Sequence, residues 1–400
     1  MLDVDAALAQ VLAQARRLPA EVTALTSAAL GLILAADVVA DLDSPPFTKS
    51  LMDGYAVRFA DCQTLPVDLQ IVHEVAAGDS ASHCVRAGQA IAVFTGAPIP
   101  EGADTVVAVE QTELLGEGRV RIKPHPLTAG SHILPRGREM HTGELIVPAG
   151  TVITPAAFGL FATAGKTAVL AYPAPRLAIL ATGNELIEAN RRPQPGQIRN
   201  SNGPMLIAQS VRAGGLPRYL GISRDEPTIL RSLIQEGLNT AHILVLSGGV
   251  SVGKHDLVPA TLRDLGVELH FHQVRLKPGK PLLFGSRGST LVFGLPGNPV
   301  SSYLGFELFV RPALRMLAGH PEPGPVIVRR TLQEAVVANH DRPTYHPARC
   351  DPNGEVRLLP WFGSADLRGI LQANGFAVLP AGPVDWQPGR LVEVMLTGEN

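Results

Sequence analysis

Apolar positions at Leu8, Val11, Leu12 and Ala15 fall on one face of a helix near the start of the chain. The run "TSAALGLILAADVVA" predicts a second helix, with Thr26 or Ser27 as its cap, broken by the prolines of "DLDSPPFTKS". From residue 47 to 140 the pattern shortens. "DLQIVHEV", "QAIAVFTG", "TVVAVEQTEL" and "RVRIKPH" read as strands punctuated by Gly, Pro and Asp, which predicts a small β domain. Beyond it, "ELIVPAGTVIT" reads as a hairpin and "PAAFGLFATAG" as a short helix ending at Gly165. The β domain (47–140) is therefore expected as an insertion in a mixed domain made of residues 1–46 and 141–171.

After the stiff "AYPAPR" segment the period alternates. "RLAILA", "PRYLGIS", "HILVLS", "ELHFHQVRL", "PLLFG" and "TLVFGLP" are predicted strands. "SNGPMLIAQSVRAG", "EPTILRSLIQEGL", "DLVPATLRDLG" and "PVSSYLGFELFVRPALRML" are predicted helices. Alternation at this spacing predicts a mainly parallel sheet covered on both faces, a three-layer α/β/α domain over 172–322. "GHPEPGP" reads as another linker, and 323–400 as a small C-terminal β domain. The fold class is α/β plus β, in several domains.

A hydrophobic content of 46% with 18% charged residues fits a packed globular protein, and a net charge of −2 lacks the basic excess of a general nucleic-acid binder. Any anion must be met by a local cluster of donors. Three widely spaced cysteines form neither a disulfide framework nor a cysteine zinc site and fit a reducing cytoplasm. The acidic "MLDVDAALAQ" does not resemble a signal peptide, and no uninterrupted apolar run is long enough for a bilayer.

Ligands of open parallel sheets bind beyond the carboxyl ends of the strands. Three such loops carry chemistry: Thr182-Gly183-Asn184-Glu185, Arg224-Asp225, and Gly248-Gly249-Val250-Ser251 with Asp256. Glycine-rich turns before helices suit phosphate-like anions, and the acids Glu185, Asp225 and Asp256 would need a divalent cation between them and the anion. The stretch "LSGGVSVGKHD" nearly spells a P-loop, but His255 stands where Ser or Thr would hold magnesium. Lys277 and Lys280 flank the Pro278-Gly279 turn, and two close ammonium groups favour an anion between them. Gly297, Asn298, Pro299 and Ser301 open a long helix. Each of these residues has an ordinary reading as a cap or turn former, as have Asp53-Gly54 and Thr95-Gly96. His270 and His272 share a strand face without a third ligand nearby and read as structural.

Taken in order, "SLMDGYAV", "TGAPIPEGADTVV", "LATGNEL", "GISRD", "LSGGVSVGKHD", "KPGKPLLFG" and "GLPGNPVSS" resemble the MoeA family and the E domain of gephyrin over most of the chain. The resemblance implies an elongated homodimer with four domains per chain, the C-terminal one barrel-like. It implies a molybdenum insertase that takes adenylylated molybdopterin and molybdate with Mg2+ and releases AMP, in the cytoplasm, with no membrane or nucleic acid involved. A molybdopterin adenylyltransferase is a candidate partner. Matching positions imply that Lys277, Lys280, Ser301, Arg349 and Ser364 hold molybdate, and that Asp53, Glu185, Asp225 and Asp256 are the important acids. Of these, Asp225 and Asp256 would serve magnesium or substrate. Thr95, Thr182, Gly248, Gly249, Ser251, Gly297, Asn298 and Pro299 complete the substrate-binding set. Two departures stand out: Glu139 occupies a position where the family often has Asp, and "PTYHPARC" matches the family's Arg-containing strand loosely. Alternatives to insertion are adenylylation of molybdopterin on the same fold and a non-enzymatic, gephyrin-like scaffold.

Overall fold

The computed structural model describes residues 1–80, 82–224, 226–249 and 257–398. The chain divides into two compact units, one of residues 1–23, 27–35 and 170–400 and one of residues 24–26 and 36–169.

In the first unit an α/β domain runs β1 (Arg176–Thr182), α1 (Asn202–Arg212), β2 (Leu216–Ser223), α2 (Pro227–Thr240), β3 (Ile243–Ser247), α3 (Leu257–Asp264), β4 (Glu268–Gln273), β5 (Pro281–Arg287), β6 (Thr290–Leu295) and α4 (Pro299–Gly305). The strands form one sheet in the order β2-β1-β3-β6-β5-β4. Pairing is parallel from β2 through β6, and antiparallel between β6 and β5 and between β5 and β4.

Strand side chains alternate between faces, so a strand buried on both sides must be apolar throughout. Leu177, Ile179, Ile243 and Val245 pack on one face with Leu206 of α1 and Val300 and Leu304 of α4. Ala178, Leu180, Leu244 and Leu246 pack on the other with Leu230 and Ile234 of α2 and Val258 and Leu262 of α3. Because α1 and α2 leave on opposite faces, a crevice opens outside the carboxyl ends of β1 and β3.

The helix Val4–Gln14 adds Ala7 and Val11 to the core on the α1 side. At the far end, strands Ile327–Leu332, Glu355–Leu358, Thr344–Cys350, Gly375–Leu379 and Leu391–Leu396 close into a barrel. Ala348, Cys350, Val356, Ala377 and Val394 lie in its core.

The helix expected over 26–40 is not formed. A single 3-10 turn, Ser27–Ala29, ends at Gly31, whose φ is +82°. Ile33–Leu34 and Val38–Val39 are strands instead, paired with Ala171–Tyr172 and with Leu145–Val147. β-branched residues at 33, 38 and 39 suit those ladders better than a helix. The expected hairpin over 144–154 is likewise replaced by the pairing of Leu145–Val147 with Val38–Val39. The helix Pro155–Thr163 forms as expected, capped by Thr154 through Ala157 N.

The second unit holds a six-stranded sheet built from strands between Gly54 and Ile122. Within this unit Asp43 bonds to Arg136 and Thr142. Its Oδ1 accepts from Thr142 N at 2.9 Å and Thr142 Oγ1 at 3.0 Å, and its Oδ2 from Arg136 Nε at 2.7 Å. The Thr142 amide first, then Arg136, holds its carboxyl down at about 2. A depressed acid lends stability above its ordinary value near 3.8 and loses it as pH falls towards 2. A carboxyl titration by NMR is expected to place the Asp43 midpoint near 2; an ordinary midpoint would mean that these bonds do not persist in solution. Glu139, longer than Asp by one methylene, reaches Ser44 Oγ at 2.7 Å.

Candidate active site

The floor of the crevice is made by glycine. Gly248 and Gly249 follow β3 with φ of +90° and +62°. A β-carbon on Gly248 would stand 2.4 Å from Thr182 O, and one on Gly249 2.7 Å from Thr182 Oγ1. Only glycine lets the chain turn this close to the end of β1. Thr182 itself is buried. Glu185 folds back so closely that its Oε2 would lie 2.6 Å from a β-carbon on Gly183.

Above this floor lies a cavity of about 640 Å3, walled by Thr182, Glu185, Arg199, Asn200, Asn202, Ser247, Gly248, Gly249, Gly297, Asn298 and Pro299 among others. Glu185 is the one carboxylate among its described lining residues.

A second cavity, of about 420 Å3, is lined by Lys277, Lys280, Ser301, Arg342, Trp361 and Ser364, and it shares Pro281, Pro296 and Asn298 with the first. Its described walls carry three cations and no carboxylate. The Lys277–Lys280 turn joins β4 to β5 and is closed by Val274 N donating to Lys280 O at 3.0 Å. The barrel fixes the same turn: Lys277 N donates to Pro343 O at 3.0 Å, and Tyr345 N donates to Lys277 O at 2.8 Å. Burial, then the Lys277 ammonium, holds the neighbouring His340 below the usual histidine range.

Helix α4 starts at the shared wall. Asn298 sits at its N-cap without a side-chain cap bond; its Nδ2 instead donates to Ser364 Oγ at 2.8 Å. Ser364 O takes the first-turn amide of Val300 at 2.9 Å. Ser301 is 3% exposed in that turn. The helix start thus reaches the barrel loop that completes the second cavity.

The structure therefore gathers Thr182, Glu185, Gly248, Gly249, Lys277, Lys280, Gly297, Asn298, Pro299, Ser301 and Ser364 around two adjoining cavities. Asp225, Ser251 and Asp256 lie outside the described residues. Arg349 is not among the residues lining either cavity. Its neighbours Ala348 and Cys350 belong to the barrel core, while Arg349 is exposed and donates from Nη1 to Gln372 O at 3.3 Å. Arg342, just before that strand, supplies the guanidinium of the second cavity, its Nε 3.0 Å from Asp341 Oδ2. The sequence motif points to the strand that carries Arg349, whereas Arg342 lies in the preceding "DRP" loop, the one local signal for it. Arg342→Ala is expected to raise the KM for an anionic substrate about tenfold, the loss of one charge-assisted bond, with Arg349→Ala within twofold of the parent. Steady-state kinetics with both variants checks this.

Asp53 and Thr95 lie in the other compact unit and meet there. Asp53 Oδ1 accepts from Thr95 N at 2.7 Å and from Thr95 Oγ1 at 2.8 Å. The Thr95 amide, then its hydroxyl, holds the carboxyl below its ordinary value. A β-carbon on Gly54 would collide with Val107 O at 2.0 Å, so the turn that presents Asp53 needs glycine. His270 rests against Ser286 Oγ at 2.8 Å, and no group of three metal-binding side chains is found among the described residues.

No helix of the described residues is long and apolar enough to cross a membrane. Residues 2–165 match the MoeA N-terminal region (domain I and II), 178–316 a probable molybdopterin binding domain, and 329–397 the MoeA C-terminal region (domain IV). The molybdopterin molybdenumtransferase of Bacillus subtilis is 33% identical over 376 residues, covering 92% of this chain and 87% of that protein. The Staphylococcus aureus (strain Mu50) protein of the same name is 33% identical over 407 residues, covering 99% and 96%. The crystal structure of the molybdopterin biosynthesis MoeA protein from Pyrococcus horikoshii OT3 superposes with a TM-score of 0.82 at 28% identity, over 99% of this chain and 100% of that one. The chain belongs to the MoeA family, the molybdopterin molybdenumtransferases.

Proposed function

We infer that this chain inserts molybdenum from molybdate into adenylylated molybdopterin in molybdenum cofactor biosynthesis. The observation that carries the reading is the pair of adjoining cavities. One, at the switch point of the sheet, is large enough for an organic substrate; the other is small and lined by Lys277, Lys280 and Arg342. Molybdate is a dianion and must approach a substrate that is itself phosphorylated. Ammonium and guanidinium groups lower the charge cost of that approach, and the hydroxyls of Ser301 and Ser364 can donate to oxo ligands.

Each oxo ligand displaced by a dithiolene sulfur leaves as water and needs two protons. Lysines 277 and 280 and the Glu185 carboxyl are the side chains proposed to relay them. The sulfurs come from the substrate, so the reaction asks no thiol of the protein. Cys62 and Cys350 are buried, and burial raises both thiols, Cys62 to about 11.

Magnesium belongs to the proposal, with Asp225 and Asp256 as its ligands. Carboxylate oxygens suit that hard cation, which when bound would supply positive charge to offset the phosphates of the substrate. Among the described residues Glu185 alone would not hold it. A homodimer, a cytoplasmic location, a molybdopterin adenylyltransferase as partner, and the participation of Asp53 and Thr95 are further parts of the proposal.

Incubation with adenylylated molybdopterin, molybdate and magnesium is expected to release AMP in step with molybdenum incorporation. Formation of adenylylated molybdopterin from molybdopterin and ATP, without molybdate-dependent AMP release, would instead favour the adenylyltransferase reading.

A further inference from the structure

Asn202 begins α1 on the wall of the larger cavity, and no role follows for it from the chemistry above. Asn202 is 7% exposed. Nδ2 donates to Ser247 Oγ at 2.7 Å and to Gly297 O at 2.8 Å. Ser247 is the last residue of β3, immediately before Gly248-Gly249, and Gly297 immediately precedes Asn298 and α4. One amide nitrogen therefore ties the start of α1 to the two turns that leave the paired strands β3 and β6.

Gly297 O can only accept, so the amide must present its nitrogen to it; the flipped amide would set two oxygens against each other. In this orientation Oδ1 is buried without a partner among the described residues. A buried acceptor left unpaired opposes folding. The orientation is kept in spite of that, because it preserves both Nδ2 bonds. The neighbouring Asn200 differs: its Oδ1 accepts from Gly203 N at 3.0 Å and its Nδ2 donates to Tyr219 Oη at 2.8 Å. Asn200 is satisfied on both sides and secures its own segment, whereas Asn202 reaches across to two other loops.

We propose that Asn202 is a positioning residue, whose amide holds the start of α1 against the Gly248–Gly249 and Gly297 turns and so sets the width of the site for adenylylated molybdopterin. The inference rests on assigning the larger cavity to that substrate. Asn202 does not line the cationic cavity, so molybdate binding is independent of it.

The test compares KM values for the two substrates in full-length protein whose parent releases AMP; a parent without that activity would refute the functional assignment, not this one. In Asn202→Ala the KM for adenylylated molybdopterin is expected to rise about tenfold, the loss of two ordinary hydrogen bonds. The KM for molybdate should stay within twofold. Asn202→Asp keeps the shape but cannot donate to Gly297 O, and should behave like the alanine variant even if that variant folds poorly. Ser247→Ala, which removes one anchor, should raise the same KM severalfold. A purely structural role would lower the melting temperature and the active fraction and leave both KM values alone. KM for adenylylated molybdopterin within twofold of the parent in Asn202→Asp, or an equal rise in both KM values, would overturn the proposal.

Discussion

Replacing Lys277 by alanine is expected to lower molybdate-dependent AMP release by two to three orders of magnitude, about what is lost when one preorganised donor is removed from a developing anion. The cavity that Lys277 lines holds three cations and no carboxylate among its described residues, so its field is set by a few groups. The turn is tied by backbone bonds to Pro343 and Tyr345 and does not need the ammonium for its shape. Lys277→Ala should therefore leave the unfolding midpoint close to that of the parent. Lys277→Arg keeps the charge but replaces a compact ammonium by a planar fork, and should recover only part of the rate. The loss should appear with molybdate as the varied substrate, unlike the loss in Asn202→Ala. A Lys277→Ala protein with turnover within threefold of the parent would remove the anion cavity from the mechanism.

The α/β domain was legible because a doubly covered sheet writes a strong pattern. The runs at 176–182, 243–247 and 290–295 are apolar on both faces, and the helices between them carry one apolar stripe each. The segment 26–40 was misread since its apolar residues lack a clean period of two, and its strands are only two residues long. Pairing with residues far along the chain decides such strands, and that information is not local. The cavity residues Lys277, Lys280, Asn298 and Ser301 were legible through their motifs. Arg342 and Asn202 were not: what singles them out is which loops the fold brings within reach.

The same limit hid the buried ion cluster on which the second large effect is expected. Glu307 lies in a π-helical turn, Phe306–Val310, between α4 and the helix Arg311–Leu317, and it is 1% exposed. Its Oε1 accepts from Gln209 Nε2 at 2.7 Å and from Arg212, while Oε2 lies 3.5 Å from Arg311 Nη1. Gln209 and Arg212 are on α1, so the cluster joins the far end of the helix that Asn202 begins to the helical run that Asn298 begins. Burial raises the Glu307 carboxyl, opposed by Arg212, Gln209 and Arg311. An acid raised in the folded state lends its stability below its ordinary value of 4.5 and loses it as pH climbs through the folded value. The ionised pair is thus costly to bury, yet removing one partner is worse, because Arg311, only 11% exposed at its side chain, would be left uncompensated. Glu307→Ala is expected to destabilise the protein by about 3–5 kcal/mol in denaturant unfolding. Glu307→Gln keeps an acceptor for Arg212 and should lose less. Because glutamine does not ionise, that variant should also show a flatter dependence of stability on pH above 4.5 than the parent. A midpoint for Glu307→Ala equal to that of the parent would mean that the cluster does not hold the two helices together.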